Sequence, residues 1–153
     1  MIEPVEVSVV LNTPQDAAFA AFVEQINRWW PVASHSICGG TVMMEPGLDG
    51  KIIETAADGT THQWGHVTPW DAPNHLAISW YVGAAPVATA FTVDFAATDD
   101  GGTHVTLVHT GWDALGEDGV AQRGNYQHGW TQILGSCYAN FVANRGLTRT
   151  GSD

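Results

Sequence analysis

Thr103-His104-Val105-Thr106-Leu107-Val108-His109-Thr110 is the stretch whose reading decides the fold. Apolar and polar residues alternate along it, so Val105, Leu107 and His109 share one face of a strand. Gly111-Trp112 then leads into a long helical segment. Helical spacing turns Arg123, Tyr126, Trp130, Ile133, Leu134, Cys137 and Phe141 toward one side of it. A histidine at a strand end, facing bulky aromatics on a helix, predicts a pocket between sheet and helix.

Upstream of this stretch the chain reads as a run of short strands with clear punctuation. They are expected at residues 41–45, 51–55, 62–70, 75–82 and 88–97, separated by Pro46-Gly47, Asp58-Gly59, Pro73-Asn74, Gly83 to Pro86 and Gly101-Gly102. Such short connectors imply an antiparallel meander. Leu76, Ile78 and Trp80 form one inward set, and Phe91, Val93 and Phe95 another. Parity is ambiguous in the third strand, where His62, Trp64 and His66 oppose Gln63, Gly65 and Val67.

Val5 to Leu11 reads as a first strand. Thr13-Pro14 opens a helix, with Thr13 able to cap and Pro14 suited to the first helical position. Phe19, Phe22, Val23, Ile26 and Trp30 recur at helical spacing, and Pro31 ends the helix. A loop follows to Gly40. The last helix starts between Asp118 and Gln122 and ends near Asn144, with Gly146 terminating it. Gly124, Gly129 and Gly135 interrupt it, and Gly129 leaves room beside the inner stripe for a neighbour or a ligand. The order is β-α-β-β-β-β-β-β-α. It forms one domain over residues 1–147 with a frayed tail at 148–153.

The 153 residues suit a single domain that buries roughly 70% of its unfolded surface. Five Lys+Arg against sixteen Asp+Glu give a formal charge of −11, which excludes a nucleic-acid backbone or an anionic membrane as partner. No apolar run reaches the ~18 residues of a membrane span. Cys38 and Cys137 lie far apart, with no Cys-x-x-Cys. Residues 1–4 carry no basic leader. A cytoplasmic protein with reduced thiols is therefore expected. Seven tryptophans are many for this length; tryptophan suits pocket walls and cores with polar edges.

In order along the chain, several stretches resemble one family. They are Phe22 to Pro31 with His35-Ser36, Glu45-Pro46-Gly47 to Gly50, Asp58-Gly59 with Trp64-Gly65, and Trp70-Asp71-Ala72-Pro73. Leu76 to Trp80, Gly102 to Trp112 and Tyr126 to Trp130 complete the series. Together they resemble the START-related lipid-binding (SRPBCC) superfamily, in its activator-of-Hsp90-ATPase-homologue-like branch. Ala72 stands where the branch often has proline, and Asp49-Gly50-Lys51 where it often has Gly-Gly-Arg. The resemblance implies an α+β helix-grip fold, in which a curved seven-stranded antiparallel sheet wraps around a long C-terminal helix. It also implies an apolar cavity for a lipid, steroid or polyketide-like ligand.

The candidate ligand-binding residues follow from both readings. Trp80, Phe91, Trp112, Tyr126, Trp130 and Ile133 are the expected walls, against the alternative of a solid core. His109 would orient a ligand carbonyl or exchange a proton, against a buried imidazole bonded to its neighbours. Arg123 would hold a ligand anion, against a salt bridge to Glu117 or Asp118. Glu54 would face inward as a general base, against a solvated carboxylate. His62 and His66 lie about 7 Å apart on one strand face but have no third ligand, so neither a metal nor a cofactor is expected. His35-Ser36 lacks the Gly-x-Ser-x-Gly context of a hydrolase. Binding of a small hydrophobic ligand is the first reading. A cyclase or isomerase using the same cavity and an Hsp90-linked interaction module are the alternatives. Edge strands permit a homodimer as well as a monomer.

Overall fold

The computed structural model describes residues 2–32, 34–36, 39–82 and 87–143. Strand β1 runs Val5–Leu11, and the helices α1 and α2 run Gln15–Glu24 and Ile26–Trp29. Strands β2 to β7 follow at Thr41–Met44, Lys51–Thr55, Thr61–Asp71, His75–Trp80, Thr89–Ala97 and Thr103–Thr110. After a short 3₁₀ segment, Trp112–Asp118, come helix α3 at Gly119–Gln132 and a π-helical segment at Ile133–Tyr138. Cys38, the Gly83 to Pro86 break, the helix end near Asn144 and the tail at 148–153 lie outside the described residues.

The seven strands form one antiparallel sheet in the order β1-β7-β6-β5-β4-β3-β2. Six neighbours along the chain pair as a meander, and β1 closes on β7 with Val5 opposite His109. This is the α+β helix-grip fold, with the sheet curved around the C-terminal helix. The inward sets are those that alternation predicts: Leu76, Ile78, Phe91, Val93, Phe95, Val105 and Leu107 are all buried.

The third meander strand resolves its ambiguity through a bulge. In the β3–β4 ladder Ile52 pairs with Gly65 but Ile53 pairs with Gln63. The extra residue, Trp64, breaks the period of two, so Trp64 and Val67 are both buried although their numbers differ by three.

Two helical expectations need correction. The first helix breaks at Gln25, where φ is −116° and ψ is 22°, and Thr13 caps nothing: Pro14 precedes α1 with no side-chain cap. Trp30, with ψ at 128°, is extended before Pro31, as a residue preceding proline should be. The last helix changes phase. Its π segment takes one extra residue per turn, so Tyr138 and Val142 become buried in place of Cys137 and Phe141. Tyr138 then donates to the Ala18 carbonyl at 2.7 Å and packs edge-on against Phe22 and Trp29. That end of the helix is solid core. The space is at the other end.

Candidate ligand-binding site

Between the sheet and α3 lies a cavity of about 320 Å³. Four tryptophans wall it: Trp30 from the end of α2, Trp64 from the β4 bulge, Trp80 from the end of β5, and Trp130 from α3. Their rings meet at centroid distances of 5.2 to 6.3 Å, mostly tilted or edge to face. Ile133 and Gly129 complete the helix side. A Cβ built on Gly129 would stand 3.6 Å from His35 Nε2, so the missing side chain opens the space that the sequence suggested.

Polar groups reach this cavity at a few points. His35 lines it from the loop after α2, and its Nδ1 lies 2.7 Å from Ser34 Oγ. Ser36 donates instead to the Val32 carbonyl at 2.6 Å, so the serine next to the ring is Ser34 rather than Ser36. Tyr126 Oη accepts the Trp80 indole N–H at 3.0 Å. That leaves the tyrosine's own hydrogen to donate. Burial raises the Tyr126 pKa, partly offset by this bond, so the phenol stays protonated. The Trp64 indole N–H is buried with no hydrogen-bond acceptor among the described residues.

A second cavity of about 290 Å³ shares Trp80, Val82 and Tyr126 with the first. The Trp80–Tyr126 hydrogen bond runs from sheet to helix between the two. Trp112, Tyr81, Leu115 and Asp118 are among the second cavity's walls.

The expected residues therefore divide. Trp80, Tyr126, Trp130 and Ile133 line the first cavity, and Trp112 lines the second. Phe91, His109, Glu54 and Arg123 line neither. Phe91 packs one layer behind, with its ring 4.9 Å from Trp130 and 5.2 Å from Trp80.

His109 also stands behind the wall rather than at a mouth, and it is fully buried. Its Nδ1 accepts the Trp130 indole N–H at 2.9 Å. Indole is only a donor, so Nε2 must carry the imidazole hydrogen and give it to Thr89 Oγ1 at 2.7 Å. The His109 carbonyl accepts the Trp112 indole at 2.9 Å. Gly111, at φ 98°, supplies the left-handed turn that folds Trp112 back for that bond. Burial pushes the His109 pKa down to about 3. The neutral ring holds Trp130, and the backbone carbonyl of the same residue holds Trp112.

Arg123 lines neither cavity and makes no salt bridge among the described residues. Its Nε and one terminal nitrogen donate to the Glu3 and Pro4 carbonyls at 3.1 and 3.0 Å. Helical phase alone could not see that the entering chain crosses there. Glu54 is fully buried on β3, where Oε2 accepts the Gly40 N–H at 2.7 Å. His66 Nδ1 lies 2.8 Å from Tyr81 Oη. Among the described residues no group of three metal-ligating side chains comes together. The sequence reading missed Trp30, Trp64 and His35 as lining residues. The first two sat in plain view as tryptophans, while His35 lies in a loop where no period marks a direction.

Comparison with known proteins bears on this arrangement. The family model described as Activator of Hsp90 ATPase homolog 1-like protein matches residues 12–139. No curated protein matches the chain. Among solved structures, it is similar to protein MLL2253 from Mesorhizobium loti, at 17% identity and TM-score 0.70, covering 94% of this chain and 98% of that one. It is similar to CalC from Micromonospora echinospora, a self-sacrificing resistance protein, at 27% identity and TM-score 0.70, covering 94% and 96%. It is similar also to Txn09, an anthrahydroquino-gamma-pyrone synthase solved in complex with SUM, at 27% identity and TM-score 0.57, covering 91% and 96%.

Proposed function

This chain belongs to the Activator of Hsp90 ATPase homolog 1-like family, and from that premise we propose that it binds a flat, apolar small molecule in the cavity of about 320 Å³. The observation that carries this reading is the pairing of aromatic walls with one unclaimed donor. Trp30, Trp64, Trp80 and Trp130 offer ring faces and edges. The Tyr126 hydroxyl hydrogen has no acceptor among the described residues. A ligand oxygen that accepts it would add about 0.5–1.5 kcal/mol, the net worth of one hydrogen bond. The ligand class is thus an aromatic or polycyclic body with at least one carbonyl, ether or hydroxyl oxygen. The similarity to Txn09, by its description a synthase of an aromatic product, agrees with that class.

A panel of naphthols, anthraquinones, steroids and fatty acids tests the proposal by tryptophan fluorescence and thermal shift. Ring compounds that carry oxygen should bind. Gly129→Leu, which pushes a side chain toward His35, should abolish that binding while the protein still melts cooperatively. Equal binding by wild type and Gly129→Leu would remove the cavity from the account.

One observation favours an enzyme as the second reading: His35, a titratable group paired with Ser34, lines the same cavity. It would move a proton while Tyr126 polarises a substrate oxygen. Turnover of a bound ring compound that His35→Ala abolishes without loss of binding would establish it. The interaction-module reading draws on the family's description alone, and pull-down with Hsp90 tests it.

A further inference from the structure

Apart from Tyr126, the aromatic residues of the second cavity have no donor left to offer a ligand. Tyr126, whose hydroxyl hydrogen is unclaimed, is shared by both cavities. In the second, the other aromatic walls have their polar handles already taken inside the protein. Trp112 gives its N–H to the His109 carbonyl, and Trp80 gives its N–H to Tyr126. Tyr81 Oη accepts from Gln63 Nε2 at 2.8 Å and meets His66 Nδ1 at 2.8 Å. These three rings therefore present π-electron surface rather than donors, and Tyr126 adds its ring beside them while keeping its one free hydroxyl hydrogen.

The charge at this cavity has one sign. Asp118 is on its wall, and no Lys, Arg or His is among the described residues lining it. The Asp118 carboxylate makes no side-chain cap to α3, so its oxygens are not spent on the helix end. Aromatic faces beside a carboxylate, with no competing cation, form the environment that favours an organic ammonium. The chain's formal charge of −11 reinforces attraction of a cation and opposes an anion.

The two cavities meet at Trp80, Val82 and Tyr126. We propose that the second cavity takes the ammonium-bearing arm of a ligand whose ring body occupies the first, so that the arm passes the Trp80–Tyr126 pair. This rests on the first-cavity reading given above. The class of ligand is an aromatic or polycyclic ring carrying an alkylammonium arm.

Three naphthalene probes test it: 1-naphthol, 3-(1-naphthyloxy)propane-1,2-diol and propranolol, which add to one ring nothing, a neutral arm and an ammonium arm. Indole N–H resonances locate each part, because Trp30, Trp64 and Trp130 line only the first cavity and Trp112 only the second. All three probes should shift the first set, and propranolol should also shift Trp112. At pH 7 propranolol should bind roughly tenfold more tightly than the diol, the scale of a partly desolvated cation–π contact beside a carboxylate. Asp118→Asn should bring the two within about threefold, leaving 1-naphthol unchanged. Binding of 1-naphthol without a gain from the ammonium, or a gain that survives Asp118→Asn, overturns this inference and leaves the first-cavity reading standing. No shift at Trp30, Trp64 or Trp130 with any of the three overturns that reading and this one together.

Discussion

Trp130 Nε1 donates to His109 Nδ1 across 2.9 Å, joining the face of α3 to the inner face of β7. The bond fixes the imidazole as its Nε2–H tautomer, with that hydrogen on Thr89. A second proton on Nδ1 would displace the indole and charge a fully buried ring. The cavity wall at Trp130 therefore depends on a neutral histidine, whereas the Trp112 indole is held by the backbone carbonyl of the same residue.

Acid should accordingly weaken the fold through His109. Its folded pKa lies near 3 and its ordinary value is 6.5, so below 6.5 the unfolded chain binds the extra proton. The contribution is fully present above pH 6.5 and is lost progressively as pH falls toward 3. Each pH unit in that window withdraws about 1.4 kcal/mol, or about 2 kcal/mol by pH 5. Urea denaturation at pH 7 and pH 5 measures this. His109→Gln should be less stable at pH 7 but should lose this portion of the pH slope. Identical slopes in the two proteins would show that the imidazole is not the group responsible.

Tyr126→Phe isolates the bond between sheet and helix. The variant keeps the ring and removes the acceptor of the Trp80 N–H, which is largely buried. A cost of about 1–2 kcal/mol is expected from the orphaned donor. The same change deletes the hydroxyl hydrogen proposed to meet a ligand oxygen, so 1-naphthol affinity should fall about fivefold or more, on the scale of a single hydrogen bond. Unchanged affinity would remove Tyr126 as a ligand contact while leaving its structural role.

Much of this was legible in the sequence, for identifiable reasons. Alternation is local, so Leu76, Phe91 and Val105 declared their faces, and Asp58-Gly59 and Gly101-Gly102 declared their turns. Parity even put His109 on the inward side correctly. It could not say whether that side was cavity or packed layer, because this depends on Thr89 and Trp130 arriving from other elements. Helical phase failed where the helix changed its own period: the π segment replaced Cys137 by Tyr138. Parity was ambiguous where the bulge at Trp64 added a residue. Both departures lie on elements that wall the first cavity, where local regularity has yielded to the shape of the site.

Arg123 separates a structural from a ligand role. Its guanidinium ties α3 to the Glu3 and Pro4 carbonyls just ahead of β1. Arg123→Ala should cost about 1 kcal/mol and let the start of β1 fray, visible as faster amide exchange at Val5. Binding of 1-naphthol should not change, because Arg123 lines neither cavity. Loss of affinity without faster exchange at Val5 would restore the arginine to the site.

Gly129 sets stability against cavity space. It sits within α3, where glycine costs roughly 1 kcal/mol relative to alanine. A Cβ there would make ordinary contact with His35, 3.6 Å from Nε2 and 3.8 Å from Cδ2, without steric conflict. Gly129→Ala should therefore raise stability by about 0.5–1 kcal/mol, measured by urea midpoint at unchanged slope. The same methyl group takes space from the cavity beside His35, so affinity for three-ring anthraquinones should fall while that for 1-naphthol changes little. A more stable variant that binds anthraquinone as well as wild type would mean that the space over Gly129 is not occupied by ligand. A less stable one would show that His35 cannot yield even at van der Waals distance. If stability rises and large-ring binding falls together, the glycine is retained for the cavity at the helix's expense, which is the trade expected of a binding position rather than a packing one.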